Sequence, residues 1–259
     1  MKPTIPQKAW PTIKHKIPLI CLALTLLWVV FCRAPAPAAS QLTDKDLDPG
    51  VKMNFLIMEG GYFRIEPEQY LSEGIQASIV ENHRYAVYLL TKAIDSGGLS
   101  LDNLSRAYVA RGISNRALGD QKAAIHDLAK ALEAVPSSAT AHYQLAETLR
   151  AMGKTTEAII ALNQAIALKP NYAQAYYLRG SIWMQRGDNR LAAKDFSQCI
   201  AYDSSLAKAF LQRGKAQRKL GNTSEALADF NEFSLRNPLD EHVKELIRQL
   251  KNQKPKGEG

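Results

Sequence analysis

A repeat of 34 residues constrains this chain more than any other feature. Gly119 recurs as Gly153, Gly187 and Gly221, and Ala124 recurs as Ala158, Ala192 and Ala226. Leu128 becomes Leu162, Phe196 and Phe230; Ala131 becomes Ala165, Cys199 and Phe233; Pro136 becomes Pro170, Ser204 and Pro238. Upstream in each unit, Tyr108 is matched by His142, Tyr176 and Phe210, and Gly112 by Ala146, Gly180 and Gly214. A fixed period of this length marks a chain of stacked helix pairs, each too small to bury its own apolar face.

Within one period the residue types explain the pairing. Tyr108, Arg111, Gly112 and Asn115 share one face of a first helix, at i, i+3, i+4, i+7 spacing. Gly119 ends that helix, because glycine takes the left-handed conformation of a helix stop at little cost. A second helix is expected over 121–134, and Pro136 prevents its continuation. Gly112 and Ala124 are small where two helix backbones cross, and Ala131 is small where the next unit's first helix leans on it. Cys199 and Phe233 depart from that rule; cysteine packs as a small hydrophobe, and Phe233 faces a different kind of neighbour at the array's end.

These residues resemble the tetratricopeptide repeat family. The resemblance covers four full repeats, at 105–138, 139–172, 173–206 and 207–240, and implies an all-α, right-handed superhelical solenoid. A divergent repeat is expected over 67–104, where Tyr70, Gly74, Ala86, Leu90 and Ala93 keep the spacing. Its link to the next repeat is four residues longer, through GGLSLDNL. Over 241–253, Val243, Leu246, Ile247 and Leu250 make one apolar stripe, as a capping helix needs. Asp240 stands ready to cap it. The tail 254–259 reads as disordered, and 41–66 is left unassigned, as a cover for the open first end or an occupant of the array's own groove.

The first 40 residues hold five Lys or Arg and no acid. Removing them from the net charge of +8 leaves +3, so the basic character belongs mainly to this leader. A basic stretch over 1–16 precedes LICLALTLLWVVF and then RAPAPAAS. That order describes a signal peptide cut after Ala38 or Ser40. The rival reading is an uncleaved N-terminal membrane anchor, although 13 apolar residues are few for a span. A lipoprotein signal at Cys32 is disfavoured by the bulk of Phe31. The expected location is the periplasm or the outer face of the membrane.

No catalytic pattern appears. His15, His83, His126, His142 and His242 form no HExxH and no metal-ligand pair, and there is no phosphate loop or nucleophile elbow. Cys21 and Cys32 lie in the leader, so the exported part keeps only Cys199 and no internal disulfide. No enzyme activity, cofactor or metal is expected.

The family resemblance places binding on the concave side, which the first helices line. At about 100° per residue, the stripe beside the buried face holds Arg106, Val109, Ile113 and Arg116 in the first repeat. Thr140, Tyr143, Glu147 and Arg150 follow, then Gln174, Tyr177, Ser181 and Met184. The last set is Lys208, Leu211, Lys215 and Arg218, with Lys219 alongside. Six of these sixteen positions are Lys or Arg and one is acidic. Apolar anchors between cations suit a protein or peptide with acidic and apolar groups. Val109 and Ile113 stand where a chaperone-tail clamp would need polar groups, so that specialised role is not expected. The modest charge of the exported part, and export itself, argue against nucleic acid. Oligomeric state is left open. The competing reading is an anchored structural subunit that packs through its convex face or its ends.

Overall fold

The computed structural model describes residues 66–252, and the leader, most of 41–66 and the tail 254–259 lie outside the described residues. Eleven helices follow one another: α1 (Pro67–Ile79), α2 (His83–Asp95), α3 (Leu101–Ala117), α4 (Gln121–Ala134), α5 (Ala139–Ala151), α6 (Thr155–Leu168), α7 (Ala173–Arg186), α8 (Asn189–Tyr202), α9 (Ala207–Leu220), α10 (Thr223–Arg236) and α11 (Glu241–Asn252). There is no strand among the described residues, and the chain is an all-α solenoid of helical repeats. Odd-numbered helices also touch their successors, α1 to α3, α3 to α5, α5 to α7 and α7 to α9. No two even-numbered helices do so. The first helices therefore crowd together on the inner side of the stack.

Helix ends follow local chemistry. Asp120 and Ser138 accept from the backbone N–H groups of Ala123 and Ala141, satisfying donors that a first turn leaves free. Gly119, Gly153, Gly187 and Gly221 all stand at positive φ between first and second helices. In the divergent repeat the matching residue is Glu81, at φ 61°. A side chain in that conformation is strained, so Glu81→Gly is expected to stabilise the array by about 0.5–1 kcal/mol. Thermal unfolding of the two proteins checks this, with Glu81→Gln as a control for lost charge.

The extra residues before the second repeat do not lengthen a loop. Ser100 accepts from Asn103 N–H at 3.2 Å and starts α3 at Leu101, inside GGLSLDNL. The insertion adds a turn of helix, because Ser100 at the cap and Asp102 in the first turn both favour initiation there.

Packing explains the small residues. A Cβ built on Gly112 would stand 3.1 Å from Leu128 Cγ, and one on Gly180 would stand 3.0 Å from Phe196. At the end of the array, Phe233 is buried with Phe230 against Val243, Leu246, Ile247 and Leu250 of α11. Asp240 caps that helix, accepting from Val243 N–H at 3.0 Å. Cys199 is fully buried beside Ala173 and Ala209. Burial pushes its thiol up to about 11, with Asp203 adding to the shift. At pH 8 only about one thiol in a thousand would be ionised. We expect the peptide carrying Cys199 to resist a disulfide reagent in the folded protein and to be labelled in denaturant, as read by mass spectrometry.

One side-chain network recurs that periodicity alone does not reveal. Arg111 of α3 makes a forked pair with Asp127 of α4, at 3.0 and 2.7 Å. Arg179 pairs with Asp195 at 2.8 Å through both arms, and Arg213 pairs with Asp229 at 2.9 and 2.6 Å. The third guanidinium nitrogen donates to the preceding repeat: to Thr91, Asn163 and Ser197 respectively. Each arginine also lies over an aromatic ring on its own helix, at 5.5 to 5.7 Å: Tyr108, Tyr176 or Phe210. In the second full repeat all these partners are replaced together. His142, Leu145 and Ala161 stand at the aromatic, arginine and aspartate positions, and Ala129 holds the matching position in the repeat before. Leu145 and Ala161 instead join an apolar cluster.

Candidate functional site

The inner stripe begins on α3. Arg106 is exposed and donates to Asn103 at 3.3 Å. Val109 does not line the surface: it is 8% exposed, buried among Leu128, Ala131 and Ala141. The fourth turn brings Ile113 to partial exposure on the same cluster. Leu128 and Ala131 of α4 and Ala141 of α5 close over the earlier position.

Arg116 is not a free cation. Its guanidinium lies 2.9 Å from Glu147 of the next first helix and also reaches the Gln144 carbonyl at 3.4 Å. Tyr143 donates to the other oxygen of Glu147 at 3.2 Å. Its ring meets Tyr172 at 5.1 Å, and burial with the adjacent carboxylate pushes its hydroxyl well above the usual phenol range. The single acid of the stripe is therefore spent on one arginine. The ring of Tyr172 in turn carries Lys169 over its face at 4.7 Å, so this stretch of the surface is aromatic.

Tyr177 on α7 is half-buried and packs on Phe196 at 5.7 Å. Burial raises its pKa, opposed by a hydrogen bond with Gln212 of α9. Ser181 turns its hydroxyl onto the Tyr177 carbonyl at 2.8 Å, and Met184 packs with Trp183 on the buried cluster of Ala192, Phe196 and Ala216. Leu211 is half-buried against the last core cluster. Arg150, Lys208, Arg218 and Lys219 are exposed and Lys215 is half-buried. Among the described residues none of these five has a carboxylate within ion-pair distance.

The geometry thus gives three neighbouring regions: Tyr143 and Tyr172, then the Tyr177 to Met184 stretch, then a cationic α9. The Arg116–Glu147 pairing links residues 31 apart in different repeats, and helical spacing offers no signal for it. Elsewhere, two hollows of about 380 and 410 Å³ open beside the arginine–aspartate network, one at Arg190, Lys194 and Ser197 and one at Thr91, His126 and Asp127. The one carboxylate among their lining residues, Asp127, is already paired with Arg111. No group of His, Cys, Asp and Glu suited to a metal occurs among the described residues. Nor is any described helix long and apolar enough to cross a membrane.

Family models described as TPR repeat and tetratricopeptide repeat match residues 146–184, 173–206 and 208–239. A comparison with curated proteins returns no match. Among solved structures, MamA is 23% identical, covering 66% of this chain and 92% of its own, with a TM-score of 0.56. TTC0263, a thermophilic TPR protein of Thermus thermophilus, is 17% identical over 72% of this chain and all of its own, with a TM-score of 0.53. YrrB, described as a TPR protein with an unusual peptide-binding site, is 20% identical over 78% of this chain and 98% of its own, with a TM-score of 0.55. At these identities the likeness speaks for the fold. Taken with the helix pairs of α5 to α10, the three matches show that residues 146–206 and 208–239 are tetratricopeptide repeats.

Proposed function

We propose that this protein is an exported interaction scaffold that holds a protein segment along its inner stripe, within a cell-envelope assembly. The repeats themselves support a scaffold for protein–protein interaction. The observation that carries the inner-stripe reading is the series of partly open aromatic and apolar side chains, Ile113, Tyr143, Tyr177, Met184 and Leu211, on successive first helices that end in the cations of α9. A preformed surface of this kind lowers the ordering cost of binding. Export is supported by the basic and apolar leader, whether cleaved or kept as an anchor. No catalytic role is proposed.

The second reading, a structural subunit packing through its outer face, has one observation in its favour. Helix α6 carries a single charged residue, Glu157, and leaves Ile160 58% exposed. Photo-crosslinking in the native host separates the two readings. A crosslinker replacing Gln174, exposed on the inner stripe, is expected to capture the partner, and one replacing Ile160 is not. Capture from Ile160 alone would establish the structural-subunit reading in its place.

A further inference from the structure

We infer that α9 is an electrostatic anchor for an acidic, extended segment of a partner protein, and that it fixes which end of the segment lies at the fourth full repeat. The inference rests on the inner-stripe reading and names the chemistry of one part of that surface.

The charge of the stripe is concentrated at one end. On α3 and α5, Arg116 is neutralised by Glu147, which leaves Arg106 and Arg150. The stripe positions on α7 hold Gln174, Tyr177, Ser181 and Met184, without charge. Helix α9 reads AKAFLQRGKAQRKL, with five cations and no acid. Arg213 points away into its pair with Asp229. Lys208, Lys215 and Lys219 remain, at i, i+7 and i+11, in one line along the helix, with Arg218 beside them. Neither α10 nor α11 neutralises them: on α10, Asp229 is held by Arg213 and Glu232 by Arg236. Glu241 and Glu245 of α11 are engaged by Lys244 and Arg248 of the same helix. Gln212, in the same line, joins the row to Tyr177 of α7.

The spacing selects the partner. Eleven residues of helix carry the row about 16 Å. An extended chain covers that length in about five residues, with side chains on one face every second position. Carboxylates on alternate residues would meet the ammonium groups in turn. Apolar residues beyond them would run onto Tyr177 and Met184. Lysines held together without counter-charges repel one another, and an acidic segment removes that repulsion when it docks.

The test uses the full chain and a fluorescein-labelled ten-residue peptide with Asp and Leu alternating, followed by anisotropy at two salt concentrations. Lys208→Gln/Lys215→Gln/Lys219→Gln is expected to raise Kd at least tenfold and to flatten its salt dependence. Lys122→Gln/Lys154→Gln/Lys194→Gln, which removes as many exposed lysines from the second-helix side and a turn, is expected to change Kd less than twofold. Circular dichroism confirms that both variants remain folded. Equal losses in the two variants would reduce the effect to net charge and overturn the anchor, as would equal binding of a peptide with Asn in place of Asp. Tighter, α9-dependent binding of an oligothymidylate would overturn the choice of a protein partner. If the α9 variant binds normally while a crosslinker at Gln174 still captures the peptide, the inner stripe stands and α9 is not its anchor. Normal binding with no capture at Gln174 removes the inner-stripe reading as well.

Discussion

Replacing Asp195 with alanine is expected to destabilise the array by about 2–3 kcal/mol, although the change deletes only a small side chain. The reason is what it leaves behind. Arg179 is held between Asp195, Asn163 and the Tyr176 ring, and its side chain is only 19% exposed. Removing one partner of a buried ion pair costs about 3–5 kcal/mol when the other charge is stranded. Arg179 can recover some water at its exposed edge, which lowers the figure. The informative comparison is the replacement already present in the second full repeat. Asn163→Ala/Arg179→Leu/Asp195→Ala copies Ala129, Leu145 and Ala161, and is expected to return stability to within about 1 kcal/mol of the parent, because no charge is then left buried without its partner. Chemical denaturation of the parent, the single and the triple variant decides the matter. A triple variant weaker than the single one would show that the network is worth more than its apolar substitute.

Gly214→Ala is expected to cost about 1–2 kcal/mol, although alanine is the better helix former by about 1 kcal/mol. A Cβ there would stand 2.7 Å from Phe230 Cε1 and 3.1 Å from Asp229 Cβ. The ring cannot retreat, since Phe230 is fully buried among Phe210, Phe233, Val243 and Leu246. Overpacking of that kind costs about 1–3 kcal/mol. The second full repeat carries the compensated pair, Ala146 with Leu162. Phe230→Leu should therefore relieve part of the damage, so that the double variant is more stable than the sum of the single changes implies. Strict additivity in thermal unfolding would mean that the glycine is needed for some reason other than the ring.

Much of the array was legible before any coordinates. Gly119, Gly153, Gly187 and Gly221 mark where the first helices stop, and Ala124, Ala158, Ala192 and Ala226 mark where backbones approach. These are local properties of the backbone and of side-chain size, repeated often enough to be read without tertiary knowledge. Glu81 was less legible, because the divergent repeat hides the glycine position under an ordinary residue, and only its positive φ exposes it.

The inner surface was legible as a stripe but not as an electrostatic pattern. Helical spacing alone placed Val109 beside Arg106 and Ile113, and counted Arg116 among the free cations. The docking of α4 and α5 on α3 buried the first and paired the last with Glu147. Likewise Arg111 and Asp127 are 16 residues apart on different helices, and Thr91 belongs to a third. The sequence by itself determined the period, the helix ends and the small crossing positions, because backbone conformation and side-chain bulk act within a few residues. Only the tertiary structure decided which charges cancel and which remain open on α9, because that depends on the angle and separation of helices whose contacting residues lie far apart in the chain.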